Sequence, residues 1–224
     1  MLPVLALFLS IGTVLMAVPI AFVSRKYGIS LWKGLIATIL LTVFGTLGTF
    51  LLYYVENGGI GGTSFYGAVF FVPAAFALVA LLLRIPYGRI MDLCAVGECI
   101  MLALMKVQCQ IYGCCGGRLL FTTGDGVDVY FPSQIAELVV ALALFTLLLC
   151  WALKGKHRGM LYPWYLVLYG SIRFVLNIFR EAWVTKEMLL PFGNIWSLVA
   201  IAIGVIWFAI CRKKEGQGWC DRRT

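Results

Sequence analysis

The sequence predicts an all-α integral membrane protein of about seven transmembrane helices, with its N-terminus outside and its C-terminus cytoplasmic. Three observations carry this expectation. Of 224 residues, 62% are hydrophobic and only 12% are charged, whereas soluble domains carry about a quarter charged residues; mean hydropathy is +0.96. The apolar residues gather in runs of about 20, the length that carries a helix across the hydrocarbon. Basic residues collect in alternate loops between those runs. A soluble core of this size could not hide so much apolar surface.

The runs cover residues 4–23, 32–55, 65–83, 94–112, 133–153, 160–179 and 194–211. Backbone polar groups cannot stay unpaired in lipid, so helices or a closed barrel are required. These runs are too long and continuous for barrel strands. The first has no basic residue before it and no small-residue cleavage site, so it reads as a retained span and not a signal peptide. Arg25, Lys26 and Lys33 follow the first run, Arg84 and Arg89 the third, and Lys154, Lys156 and Arg158 the fifth; Arg212, Lys213, Lys214, Arg222 and Arg223 end the chain. The other loops hold Glu56, then Arg118 with Asp125 and Asp128, then Arg180 and a Lys186 set between glutamates. Positive loops stay cytoplasmic, which fixes the orientation. Residues 1–212 form one seven-helix domain and 213–224 a short basic cytoplasmic tail. With no internal repeat visible, many transporter architectures are disfavoured. The net charge of +8 is divided among short loops and suits anionic headgroups, not nucleic acid.

Chemistry must lie with the polar groups that lipid makes expensive. Glu98, Lys106, Glu137 and Arg173 fall inside apolar runs. Unpaired, four such charges would cost on the order of 10 kcal/mol, comparable to a protein's whole stability. In the sixth run, Tyr165, Tyr169, Arg173, Asn177 and Arg180 recur at steps of four, four, four and three, on one helical face. Guanidinium groups bind phosphate bidentately, so this stripe suits an anionic headgroup. The alternative is a buried Arg173 neutralised by Glu98 or Glu137, with Arg180 as an outer anchor. The fourth run carries Asp92, Glu98 and Lys106, then Gly113-Cys114-Cys115-Gly116-Gly117-Arg118, a glycine-rich end that could cradle a phosphate. Cys109, Cys114 and Cys115 fit no zinc template, and small apolar filling is the simpler role for such cysteines. His157, in a basic loop, reads as a surface residue.

Four stretches in order then resemble the bacterial prolipoprotein diacylglyceryl transferase family. They are Gly61-Gly62-Thr63-Ser64-Phe65-Tyr66-Gly67, the segment 92–118, Phe131-Pro132-Ser133-Gln134-Ile135-Ala136-Glu137, and Tyr169-Gly170 with Arg173 running on to Arg180. The resemblance implies an enzyme that moves the diacylglyceryl group of phosphatidylglycerol to the thiol of a lipobox cysteine, with release of glycerol phosphate. It implies no metal or soluble cofactor. Its partners would be phosphatidylglycerol and other anionic phospholipids, and the prolipoprotein signal peptide. The place would be the bacterial plasma (inner) membrane, as a multi-pass protein. On the family's motifs, Arg173, Lys106 and Tyr66 take the catalytic positions, with Arg118, Ser133, Gln134, Glu137, Tyr169, Asn177 and Arg180 binding lipid. Tyr66 and Phe131 stand where the family has histidines, Lys106 where it has an arginine, and Asn177 where it has an acid. A phosphate-binding framework therefore survives better than an acid–base set. A related transferase with another acceptor, or a non-catalytic lipid-binding protein, remains the alternative.

Overall fold

The computed structural model describes residues 2–59, 62–114, 116–180 and 192–213. Gly61, Cys115, Lys186 and the tail beyond Lys213 fall outside them, so the readings placed there stay as expectations. The described residues form an all-α membrane protein with one hairpin. Its helices are α1 (Leu2–Lys26), α2 (Leu31–Asn57), α3 (Phe65–Leu83), α4 (Tyr87–Tyr112), α5 (Ser133–Leu153), α6 (Leu161–Asn177) and α7 (Phe192–Lys213). The hairpin is β1 (Leu119–Thr122) with β2 (Asp128–Tyr130). By length and apolar composition, α1, α2, α3, α5 and α7 suffice to cross a membrane. The other two differ for a reason: α4 carries Asp92, Glu98 and Lys106, and α6 is 17 residues long and carries Arg173.

Local sequence explains the element ends. Gly58 and Gly113 adopt left-handed backbone (φ 68° and 64°), which lets their N–H groups turn back onto the last carbonyls of α2 and α4. Pro73 lies inside α3 and has no N–H to give the carbonyl of Val69. The Tyr162 hydroxyl of α6 donates to that carbonyl instead, at 2.8 Å. The fourth run begins earlier than expected, at Tyr87, because its first two turns are buried inside protein and need no apolar run. The hairpin was not expected. Its Asp125-Gly126 turn between β-branched and aromatic residues is nevertheless a hairpin signal. Gly126 takes φ 77°, and Leu119 faces Tyr130 across the ladder.

Packing follows small residues, as it does where lipid supplies no hydrophobic drive between helices. α2 crosses α3 at Gly48 and Gly67, where a Cβ on Gly48 would lie 2.5 Å from the Gly67 carbonyl oxygen. α6 meets α7 at Gly170, facing the Ser197 carbonyl oxygen at 2.9 Å from a built Cβ, and at Gly204, facing that of Pro163 at 3.0 Å. α4 is the central helix, touching α1, α2, α3, α5 and α6. At one end of it, fully buried Asp92 accepts bonds from Tyr27 Oη (2.9 Å) and from the backbone N–H groups of Gly159 (2.5 Å) and Leu161 (2.8 Å). One carboxylate thus caps the start of α6 and ties it to the end of α1.

The loops after α1, α3 and α5 gather at that same end. Arg158 donates to the Lys26 carbonyl at 2.9 Å and stacks 4.7 Å over the Tyr27 ring, and Lys33 donates to the Leu83 carbonyl at 2.6 Å. At the opposite end, Glu56 accepts from Trp196 Nε1 (2.6 Å) and Ser64 Oγ (3.2 Å), beside the hairpin loops. The bundle therefore has a basic end and a hairpin end.

Candidate functional site

In the hairpin half, three helices each deliver one charge to a common point. Lys106 comes from the last two turns of α4, Glu137 from the second turn of α5, and Arg173 from the α6 stripe. Glu137 Oε2 receives Lys106 Nζ at 2.6 Å and pairs with Arg173 Nη1 as well. All three are buried, at 8%, 3% and 8% exposure for Lys106, Glu137 and Arg173. Two cations share one carboxylate, so the cluster carries a net charge of +1. That arrangement accounts for how lipid-embedded helices tolerate these groups.

The two sequence readings of Arg173 therefore meet in one residue. Glu137 is its counter-ion, as the charge-neutralising alternative had it; Glu98 is not. Glu98 Oε1 instead lies 3.0 Å from Tyr162 Oη, nearer the basic end. Lys106 and Arg173 nevertheless converge, from α4 and α6, on that one carboxylate. Arg173 Nε has no hydrogen-bond partner among the described residues, and neither does Glu137 Oε1.

Tyrosines wall the cluster. Tyr66 of α3 packs against Tyr169 of α6 (ring centroids 5.6 Å), which stacks on Tyr165 (5.6 Å). The Tyr66 hydroxyl lies 2.6 Å from Ser197 Oγ. Ser197 spends its single proton on the Gly193 carbonyl, at 2.7 Å. Tyr66 must then be the donor of the pair, and its oxygen offers only lone pairs to a ligand.

Other expected residues sit further out. Arg118 lies over the Phe179 ring at 5.3 Å, and its backbone pairs with the Phe179 carbonyl (2.9 Å) and the Phe131 N–H (3.0 Å). Gly117 pairs with Arg180 and packs against the Phe131 carbonyl so closely that a Cβ would collide with it. The glycine-rich stretch thus serves backbone docking onto the end of α6. Gln134 donates to the Cys114 carbonyl at 2.7 Å and fastens α5 to the same loop, while Ser133 is buried at the α5 start. Asn177 and Arg180 continue the stripe beyond Arg173, and Asn177 is buried. Among the described residues no group of His, Cys, Asp and Glu is arranged to hold a metal.

Sequence reasoning missed Asn194 and Ser197 of α7, both fully buried. The signal was present: two polar residues three apart, on one face of an otherwise apolar run. A narrow apolar cleft opens between α1, α2 and α4, lined by Phe8, Leu41, Thr49, Phe50 and Met105.

A family model described as prolipoprotein diacylglyceryl transferase matches residues 5–210. Similar proteins carry the name phosphatidylglycerol–prolipoprotein diacylglyceryl transferase. One from Geobacter sulfurreducens is 30% identical over 168 residues, covering 70% of this chain and 64% of the relative. Another, from Clostridium perfringens, named as a second such transferase, is 24% identical over 80% of this chain and 78% of its own length. A third, from Dehalococcoides mccartyi, is 25% identical over 77% of this chain and 71% of its own.

Proposed function

This chain belongs to the prolipoprotein diacylglyceryl transferase family, and we propose that it transfers the diacylglyceryl group of phosphatidylglycerol to the lipobox cysteine thiol of prolipoproteins. The observation that carries this reading is the buried Lys106–Glu137–Arg173 cluster with its net positive charge. In the reaction, a carbon–sulfur bond forms at the glyceryl methylene as the carbon–oxygen bond to phosphate breaks. The phosphodiester leaves as glycerol phosphate, and the thiol proton ends on that phosphate or on water. One negative charge grows on phosphate as the bond breaks. A preorganised guanidinium and ammonium stabilise it where water is excluded. Lys106 supplies a point charge, whereas Arg173 supplies a two-pronged donor. Tyr66 contributes a lone-pair acceptor beside them.

The decisive assay supplies the purified protein with phosphatidylglycerol and a lipobox peptide. Mass spectrometry is expected to find the peptide heavier by one diacylglyceryl group, with stoichiometric glycerol phosphate. A peptide that stays unmodified while phosphatidylglycerol binds would shift the reading to a lipid-binding protein.

The protein crosses the bacterial inner membrane seven times, N-terminus outside, with the basic end cytoplasmic. The positive-inside bias supports this, as does the gathering of Lys26, Lys33 and Arg158 at one end. Cysteine introduced at His157 should gain no label from an impermeant thiol reagent in intact cells, and should gain it after permeabilisation. Labelling in intact cells would invert the topology.

A further inference from the structure

We propose that Asn194 and Asn177 form a hydroxyl-recognition subsite beside the charged cluster, which takes the uncharged polyol end of the phospholipid headgroup. The inference rests on the function proposed above and deepens it. Asn194 lies in the first turn of α7, is fully buried, and has no hydrogen-bond partner for either its amide oxygen or its amide nitrogen among the described residues. Buried side-chain amides are nearly always paired, so a doubly unpaired one calls for a ligand. Asn177, 5% exposed, also leaves its Nδ2 unpaired. The two segments meet here: a Cβ built on Gly193, the residue before Asn194, would stand 2.9 Å from Asn177 Nδ2 and 3.5 Å from Oδ1.

Chemistry selects the ligand. A carboxamide offers two donors and an acceptor without charge, and each hydroxyl of a vicinal diol is both donor and acceptor. A carboxylate or second phosphate would leave the amide oxygen opposed by lone pairs. Position selects the same ligand. Asn177 is four residues beyond Arg173 on α6, about 6 Å along the axis. A three-carbon polyol esterified to a phosphate on Arg173 reaches that far. The neighbouring hydroxyls do not compete, because Ser197 donates to Gly193 and Tyr66 donates to Ser197. Phosphate is thus held by charge and glycerol by amides, so headgroup choice falls to α7 and the end of α6.

The test compares phosphatidylglycerol with phosphatidylethanol of the same acyl chains, a phosphodiester of equal charge without hydroxyls. Affinities are measured by native mass spectrometry on protein in phosphatidylcholine nanodiscs. The wild type should prefer phosphatidylglycerol by about tenfold, the ratio given by two net hydrogen bonds. Asn194→Leu should bring that ratio close to one while leaving phosphatidylethanol binding unchanged, and Asn177→Leu should do so in part. Arg173→Ala should weaken both lipids alike. Equal wild-type affinity for the two lipids would overturn the subsite and leave the phosphate site standing. Binding of neither lipid would overturn both this inference and the function beneath it. Equal loss of both lipids in Asn194→Leu would make Asn194 structural. Should that variant fail to insert, the wild-type ratio and Asn177→Leu decide the matter.

Discussion

Replacing Arg173 with alanine is expected to lower turnover by about 10²–10³, the usual loss of one transition-state donor. Arg173 is held in place by Glu137, and its Nε has no hydrogen-bond partner among the described residues. Its value lies in charge that grows only as the carbon–oxygen bond breaks, so binding of phosphatidylglycerol should fall much less than the rate. The fold should tolerate the change. Glu137 keeps Lys106 at 2.6 Å, so the variant retains a neutral buried pair and strands no charge. Lysine at the position should restore only part of the rate, because it returns the charge without the two-pronged geometry. Diacylglyceryl adduct and membrane-inserted protein are measured together for both variants. Near-normal adduct from the alanine variant at equal protein level would remove Arg173 from the mechanism. Loss of inserted protein would assign it to structure instead.

Glu137→Gln should act in the opposite sense, on stability before rate. The carboxylate is the shared counter-ion of Lys106 and Arg173. Its neutral isostere leaves two buried cations facing each other without compensation, and breaking a buried pair this way costs about 3–5 kcal/mol. The expected result is a large fall in melting temperature in detergent and in the amount of inserted protein. Removing one of the stranded cations should give part of this back, so Glu137→Gln with Lys106→Met should melt above Glu137→Gln alone. The comparison isolates repulsion from loss of shape, since glutamine fills the same volume. A single variant that melts like the wild type would show that the cluster is held by something other than this carboxylate.

These two expectations were unequally legible in the residue order. Arg173 stood out through the four-residue recurrence of Tyr165, Tyr169 and Asn177, because a helix turns periodicity into a face without any tertiary knowledge. Glu137 stood out as an expensive charge and as one of two candidate counter-ions for Arg173. Which cation it answered depended on how α4, α5 and α6 pack, and partners separated by tens of residues leave no local pattern. The same limit hid that the Arg118 guanidinium lies over Phe179 and that Gly117 packs its backbone against Phe131.

By itself, the sequence determined that this chain lives in lipid as a helical bundle, where its apolar runs begin and end to within a turn or so, and which loops are basic. Hydrophobic length and backbone hydrogen bonding act locally, and composition records them directly. α4 was the exception, since its first turns are hidden by other helices and not by lipid. Only the tertiary structure decided that Glu137 bridges Lys106 and Arg173, that the Tyr66 proton is committed to Ser197, and that buried Asn194 finds no partner among the described residues. Each of these depends on how separate helices meet. Burial makes such a pairing matter, and nothing short of packing can say which groups meet.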